Sequence, residues 1–186
     1  MRASAYALAA ALCAVPALAT AQGMGNMPSD PTSPVSNALR ASTMRYARTI
    51  TEALDSFPAD KYDYKPTAPQ MTVRAVAVHL VEEGNYWLCS RVTGVAEPQR
   101  TKVDTTASKD ALLTALRTSF DFCRTSAAGL TDAQLADSVQ SFGPRKTTKA
   151  NMLLITVGDW ADHYSQLANY LRLNNMVPPT ARRGQM

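Results

Sequence analysis

Late in the chain, Leu153, Val157, Trp160, Tyr164, Leu167 and Leu171 recur in alternating steps of four and three. That spacing lays large apolar side chains along one stripe of a helix, whereas a strand would scatter them over both faces. A stripe of this kind is stable only against a matching surface, so the helix, about Thr148 to Asn174, requires partners. Three more stretches supply them. Ser36 is placed to cap a first helix to about Ser56, with Leu39, Ile50, Leu54 and Phe57 on or near its apolar side and Pro58 ending it. Thr72 caps a second, roughly Val73 to Thr93, where Val76, Leu80, Glu83 and Trp87 follow helical spacing and Gly94 marks the stop. Ser108 caps a third to about Gly129, carrying Leu112, Leu116, Phe120 and Cys123.

No segment alternates convincingly enough to be a strand, so the expected fold is all-α: a four-helix bundle. Residues 59–70 hold Pro66 and Pro69 with Tyr62 and Tyr64 ahead of them and read as an ordered loop. Thr131 opens a short helical turn, and Phe142-Gly143-Pro144 is a turn. The connection between the second and third helices exceeds a usual bundle loop, and a length-spanning crossover would let those helices run parallel. Cys89 and Cys123, each late in its helix, would then lie near the same end. A disulfide between them and two buried thiols that never meet are equally compatible with the sequence.

The chain's ends are expected to lie outside the bundle. Arg2, an apolar run from Ala5 to Ala19 and the small residues Ala19-Thr20-Ala21 make residues 1–21 a cleavable export signal. Residues 22–34, rich in Gly, Met, Pro, Ser and Thr, read as a flexible leader, residues 35–179 as the bundle, and 180–186 as a loose tail. A periplasmic or secreted location follows. No stretch reaches the ~20 apolar residues needed to span a membrane, so no membrane insertion is expected after cleavage. The formal charge of +4 falls to +3 without Arg2, and the basic residues are scattered, leaving no nucleic-acid footprint.

The chemistry-bearing residues are few. Only two histidines exist, and His163 stands four residues after Asp159, so both project from one helix face. His79 lies on the second helix, and if that helix faces the fourth, His79, Asp159 and His163 can reach one divalent ion. Three protein ligands with an open position are the pattern of catalytic rather than structural metal sites. Glu83, one turn after His79, is placed to be a fourth ligand, a partner for an imidazole N–H, or a general base. The same spacings also suit a hydrogen-bonded core histidine and an ordinary surface pair.

Tyr62-Asp63-Tyr64-Lys65-Pro66-Thr67, Thr72-Val73-Arg74-Ala75-Val76-Ala77-Val78-His79-Leu80, and the stretch from His163-Tyr164-Ser165-Gln166 through Tyr170-Leu171-Arg172-Leu173 to Val177-Pro178-Pro179 together resemble the DinB superfamily. Phe120-Asp121-Phe122-Cys123 and Phe142-Gly143 resemble an exported branch of it. The resemblance implies a four-helix bundle with a metal on three histidines, one on the second helix and a His-x-x-x-His pair on the fourth. His79 matches the first and His163 the last, while Asp159 stands at the middle position. A carboxylate there adds a negative charge and shifts the expected ion from zinc or nickel towards iron or manganese. The resemblance further implies a metal-dependent hydrolase or thiol-dependent transferase acting on a small molecule, and a homodimer. The alternative is a non-catalytic binding or assembly module with a degenerate site.

Overall fold

The computed structural model describes residues 30–182; the expected signal segment, most of the leader and the last four residues lie outside that range. The long helices are α1 (Pro34–Ser56), a composite rod made of α2 (Val73–His79), a π-helical segment (Leu80–Trp87) and α3 (Leu88–Thr93), then α4 (Lys109–Ser126) and α5 (Lys149–Leu173). A hairpin of β1 (Ser138–Gln140) and β2 (Lys146–Thr148) precedes α5, and α6 (Pro179–Arg182) closes the described chain.

Contacts between the helices fix their directions. Lys109 Nζ bonds the carbonyls of Asp55 and Phe57 at 2.7 and 2.8 Å, while Arg40 Nη1 reaches Ala127 O and Leu130 O at 3.0 Å, so α4 runs antiparallel to α1. Arg74, at the start of α2, bonds Ala107 O just before α4, and Cys89 is bridged to Cys123 near the far end. The second and third bundle helices are therefore parallel, with residues 94–108 crossing the length of the molecule between them. The core between the helices includes Ile50, Leu54, Leu80, Leu116, Trp160 and Leu167, all essentially inaccessible to water. Tyr62 in the ordered loop is equally buried, and its hydroxyl donates to Leu54 O at 3.0 Å.

Helix starts follow the capping chemistry for three of the four. Thr72, Ser108 and Thr148 each accept the backbone N–H three residues on, at 3.0, 3.2 and 3.2 Å. The first start differs. Ser33 is the N-cap, Pro34 takes the first helical position, and Asp132 from a remote turn accepts the amides of Val35 and Ser36 at 3.0 and 2.8 Å. A carboxylate at the positive end of a helix does the work expected of Ser36.

Three other expectations change. The second helix is not α-helical throughout, because the middle eight residues adopt π-helical hydrogen bonding. The β1–β2 hairpin pairs Ser138 with Thr148 and Gln140 with Lys146, and with three residues a strand it is too short to show alternation. Its turn holds Gly143 at φ +63°, as a left-handed position favours. Finally, the expected loose tail begins as a helical turn: Thr180 Oγ1 accepts from the Tyr164 hydroxyl at 2.8 Å, and Arg182 Nη2 donates to Ser56 Oγ at 2.8 Å.

Candidate metal centre

The last residue of α2 and two residues of α5 converge where these antiparallel helices cross. His79 Nε2 lies 3.1 Å from Asp159 Oδ1, and His163 Nε2 lies 3.5 Å from the same oxygen. The imidazole centroids are 4.6 Å apart, edge to face, and one donor atom from each of the three residues falls within 4.8 Å of the others. All three side chains are largely buried, with 24, 16 and 12% of the surface of His79, Asp159 and His163 exposed. No other group of three or more His, Cys, Asp or Glu residues with this spacing occurs among the described residues.

The donor set fits a divalent ion on an observation independent of spacing. Asp159 Oδ2 is buried and makes no hydrogen bond. An unsatisfied buried carboxylate oxygen is costly, and a cation is one way to relieve it. Burial pushes the Asp159 carboxyl up, but the imidazoles of His163 and His79 outweigh that and hold it below the usual carboxylate range. The Asp159 hydrogen bond in turn raises His79 above the usual histidine range, against the effect of burial. The carboxyl is therefore ionised at neutral pH, as a ligand must be.

Local structure explains why the two helices approach so closely here. The π-helical segment begins immediately after His79 and carries Gly84 opposite Asp159. Any Cβ at that position would stand 2.6 Å from Asp159 Oδ2, so only glycine leaves the carboxylate its place. The neighbouring Asn85 is fully buried. Its Oδ1 accepts from Trp160 Nε1 at 2.7 Å, and its Nδ2 donates to Ser119 Oγ at 2.8 Å, which registers α5 against both the rod and α4 beside the site.

Glu83 is not gathered into the ligand cluster. Its Oε2 lies 2.7 Å from His79 Nδ1, on the ring edge away from Asp159, and its side chain is mostly in solvent. That is the place of a partner for the imidazole N–H. Asp162 points to solvent, whereas Glu82 is drawn in by Arg100. Cys89 and Cys123 form a disulfide with a Cα separation of 5.3 Å.

Beside the centre, a cleft of about 820 Å³ opens between the 66–71 loop and α5, lined by Pro66, Pro69, Gln70, His163, Gln166 and Arg172 among others. Gln166 meets His163 on its Nδ1 side, Oε1 to Nδ1 3.0 Å. Neither Gly84 nor Asn85 stands out from spacing, because each acts across a helix contact, and Gln166 gains its place only through Tyr170, whose hydroxyl reaches Met71 O in another element. The burial pattern of the rod reflects its π-helical middle: Val76/Ala77, Leu80/Val81, Gly84/Asn85, Leu88/Cys89 and Val92 repeat every four residues, a wider turn than the 3.6 of an α-helix.

The chain matches the DinB superfamily over residues 43–167. Its fold is similar to that of a DinB-like protein from Bacillus subtilis, with a TM-score of 0.61 at 20% identity, covering 75% of this chain and 93% of that one. A DinB-like protein from Bacillus cereus gives a TM-score of 0.61 at 19% identity, over 80% and 97% of the respective chains. No curated protein matches the sequence.

Proposed function

Because the chain belongs to the DinB superfamily, we propose that it is an exported divalent-metal protein of that family, a metal-dependent hydrolase or transferase for a small molecule. The observation that carries this reading is the convergence of His79 and His163 on Asp159 Oδ1, within coordination reach of one ion, on a carboxylate whose other oxygen is buried without a hydrogen bond.

His79, Asp159 and His163 would hold the ion. The carboxylate in a two-histidine set favours a harder ion, iron or manganese before zinc or nickel. A divalent ion with open positions supplies Lewis acidity and lowers the pKa of a bound water from 15.7 towards about 7. Glu83 fixes the outer edge of the His79 ring, a positioning role more in keeping with its 2.7 Å contact than that of a free general base. The cleft beside His163, with both apolar and polar lining, is of a size suited to a small molecule. Export is supported by the signal-like sequence of residues 1–21 and by the Cys89–Cys123 bridge, since disulfides persist in oxidising compartments.

Protein purified without chelators or affinity tags is expected to carry about one divalent ion per chain by elemental analysis. Asp159→Ala and His163→Ala should each abolish it while leaving the helical circular dichroism intact. Wild-type protein that stays empty after reconstitution with several divalent ions at neutral pH overturns the enzyme reading. One observation favours a second reading, the non-catalytic binding or assembly module. Asp159 Oδ1 is shared by both imidazoles, so the triad also works as an ion-free polar contact between α2 and α5. That outcome is the empty wild type.

A further inference from the structure

A line of hydrogen bonds leaves the His163 ring on the side away from Asp159. His163 Nδ1 is 3.0 Å from Gln166 Oε1, Gln166 Nε2 donates to the Tyr170 hydroxyl at 2.8 Å, and that hydroxyl donates to Met71 O at 3.0 Å. The steps of three and four residues place all three side chains on one face of α5. Met71 precedes Thr72, the N-cap of the helix that carries His79.

The polarity of this line is settled at its far end. A backbone carbonyl can only accept, so the single Tyr170 proton goes to Met71 O. The hydroxyl is then left to accept, which it can do only from the amide NH2 of Gln166. With that end of the amide committed, its oxygen faces His163, and an amide oxygen cannot donate. The ring nitrogen opposite it must therefore carry the proton. Packing holds the parts in place: Tyr170 is buried, with the Tyr64 ring edge-on at 5.8 Å.

We infer that Gln166 and Tyr170 are positioning residues that set the tautomer of His163: the Met71 carbonyl, acting through them, holds a ring proton on Nδ1, so that Nε2, 3.5 Å from Asp159 Oδ1, is the nitrogen that gives up its proton to a cation. A ligating imidazole must present a bare nitrogen, and its other nitrogen usually donates to an outer partner that fixes the ring. Here that partner is an amide whose own orientation is dictated from the loop that starts the His79 helix. The consequence for metal binding rests on the function proposed above; the tautomer itself does not.

Long-range nitrogen–proton NMR on metal-free protein, recorded across a pH series, reads directly which ring nitrogen carries the last proton. The wild type is expected to show His163 protonated at Nδ1. Tyr170→Phe keeps the packing but frees the Gln166 amide to flip, and should give a mixture of tautomers with manganese affinity lowered in proportion to the Nδ1–H fraction lost, about twofold for an even mixture. Adding Gln166→Glu to Tyr170→Phe should restore the Nδ1–H form, since a carboxylate has no donor to present in either orientation. A loss of stability alone would not be rescued in this way. Protonation at Nε2 in the wild type, or an unchanged tautomer in Tyr170→Phe, overturns the inference. Wild type with the Nδ1–H form that takes up no ion supports it and overturns only the metal reading.

Discussion

A methyl group at position 84 would stand 2.6 Å from Asp159 Oδ2, closer than side-chain carbons approach any atom without displacing it. Alanine is the better helix former by about 1 kcal/mol, so Gly84→Ala should leave the bundle folded while pushing the carboxylate away from the histidines. The expected result is at least a tenfold loss of affinity for manganese in calorimetric titration, with the melting temperature changed by only a few degrees; binding equal to the wild type would show that Gly84 does not shape the site. The position marks where sequence reading stopped at this scale. His79, Asp159 and His163 were legible because two share one helix face and the third matches a family motif. Gly84 and Asn85 were not, because their roles depend on which helix faces which, and a one-dimensional period does not record that; Gln166 was not, because its orientation is set by the Tyr170 hydroxyl reaching a carbonyl outside the helix.

Among the elements, the crossover between α3 and α4 is fastened by one ion pair. Arg100 donates twice to the Glu82 carboxylate at 2.7 Å, its guanidinium carbon lies 3.7 Å from the centre of the Tyr86 ring, and Val103 N–H adds a bond of 2.9 Å to Glu82. Burial pushes the Glu82 carboxyl up, yet the Arg100 and Val103 bonds outweigh it and hold it below the usual carboxylate range. A carboxyl lowered on folding contributes stability above its unfolded value, about 4.3, and that contribution disappears as pH falls through the lower folded value. Glu82→Gln should therefore cost about 2–3 kcal/mol near neutral pH, between the cost of losing an exposed pair and a buried one. Thermal melts should show this difference shrinking as pH is lowered from about 5 towards 3, and a constant difference would contradict the argument. Helix positions were readable from caps and periodicity, to within a few residues at Ser36 and Gly129. The π-helical segment and the hairpin were not: the first disguises itself as an ordinary apolar stripe, and the second is held by Trp87, whose ring lies 4.8 Å from that of the exposed Phe142.

At the scale of the whole molecule, the disulfide ties two parallel helices across a sequence separation of 34. Closing a loop of that length in the unfolded chain is worth roughly 3–4 kcal/mol in the chain-entropy account. Reduction should lower the melting temperature by roughly 8–14 °C for a domain of this size, measured by circular dichroism with and without a thiol reductant. Identical melts would mean that the bridge is absent or without effect on stability. The all-α bundle and its long crossover followed from four apolar stripes and one overlong connection, so the architecture was the most readable level of all. What no stripe reveals is timing. The first donor lies eighty positions ahead of the second, which shares the final long helix with the third, so nothing resembling a binding pocket exists until that helix docks. On the function proposed above, the ion is therefore taken from the solution that surrounds the finished molecule, and on the export proposed there the supply outside the cytoplasm acts together with the ligand set in deciding which ion is held.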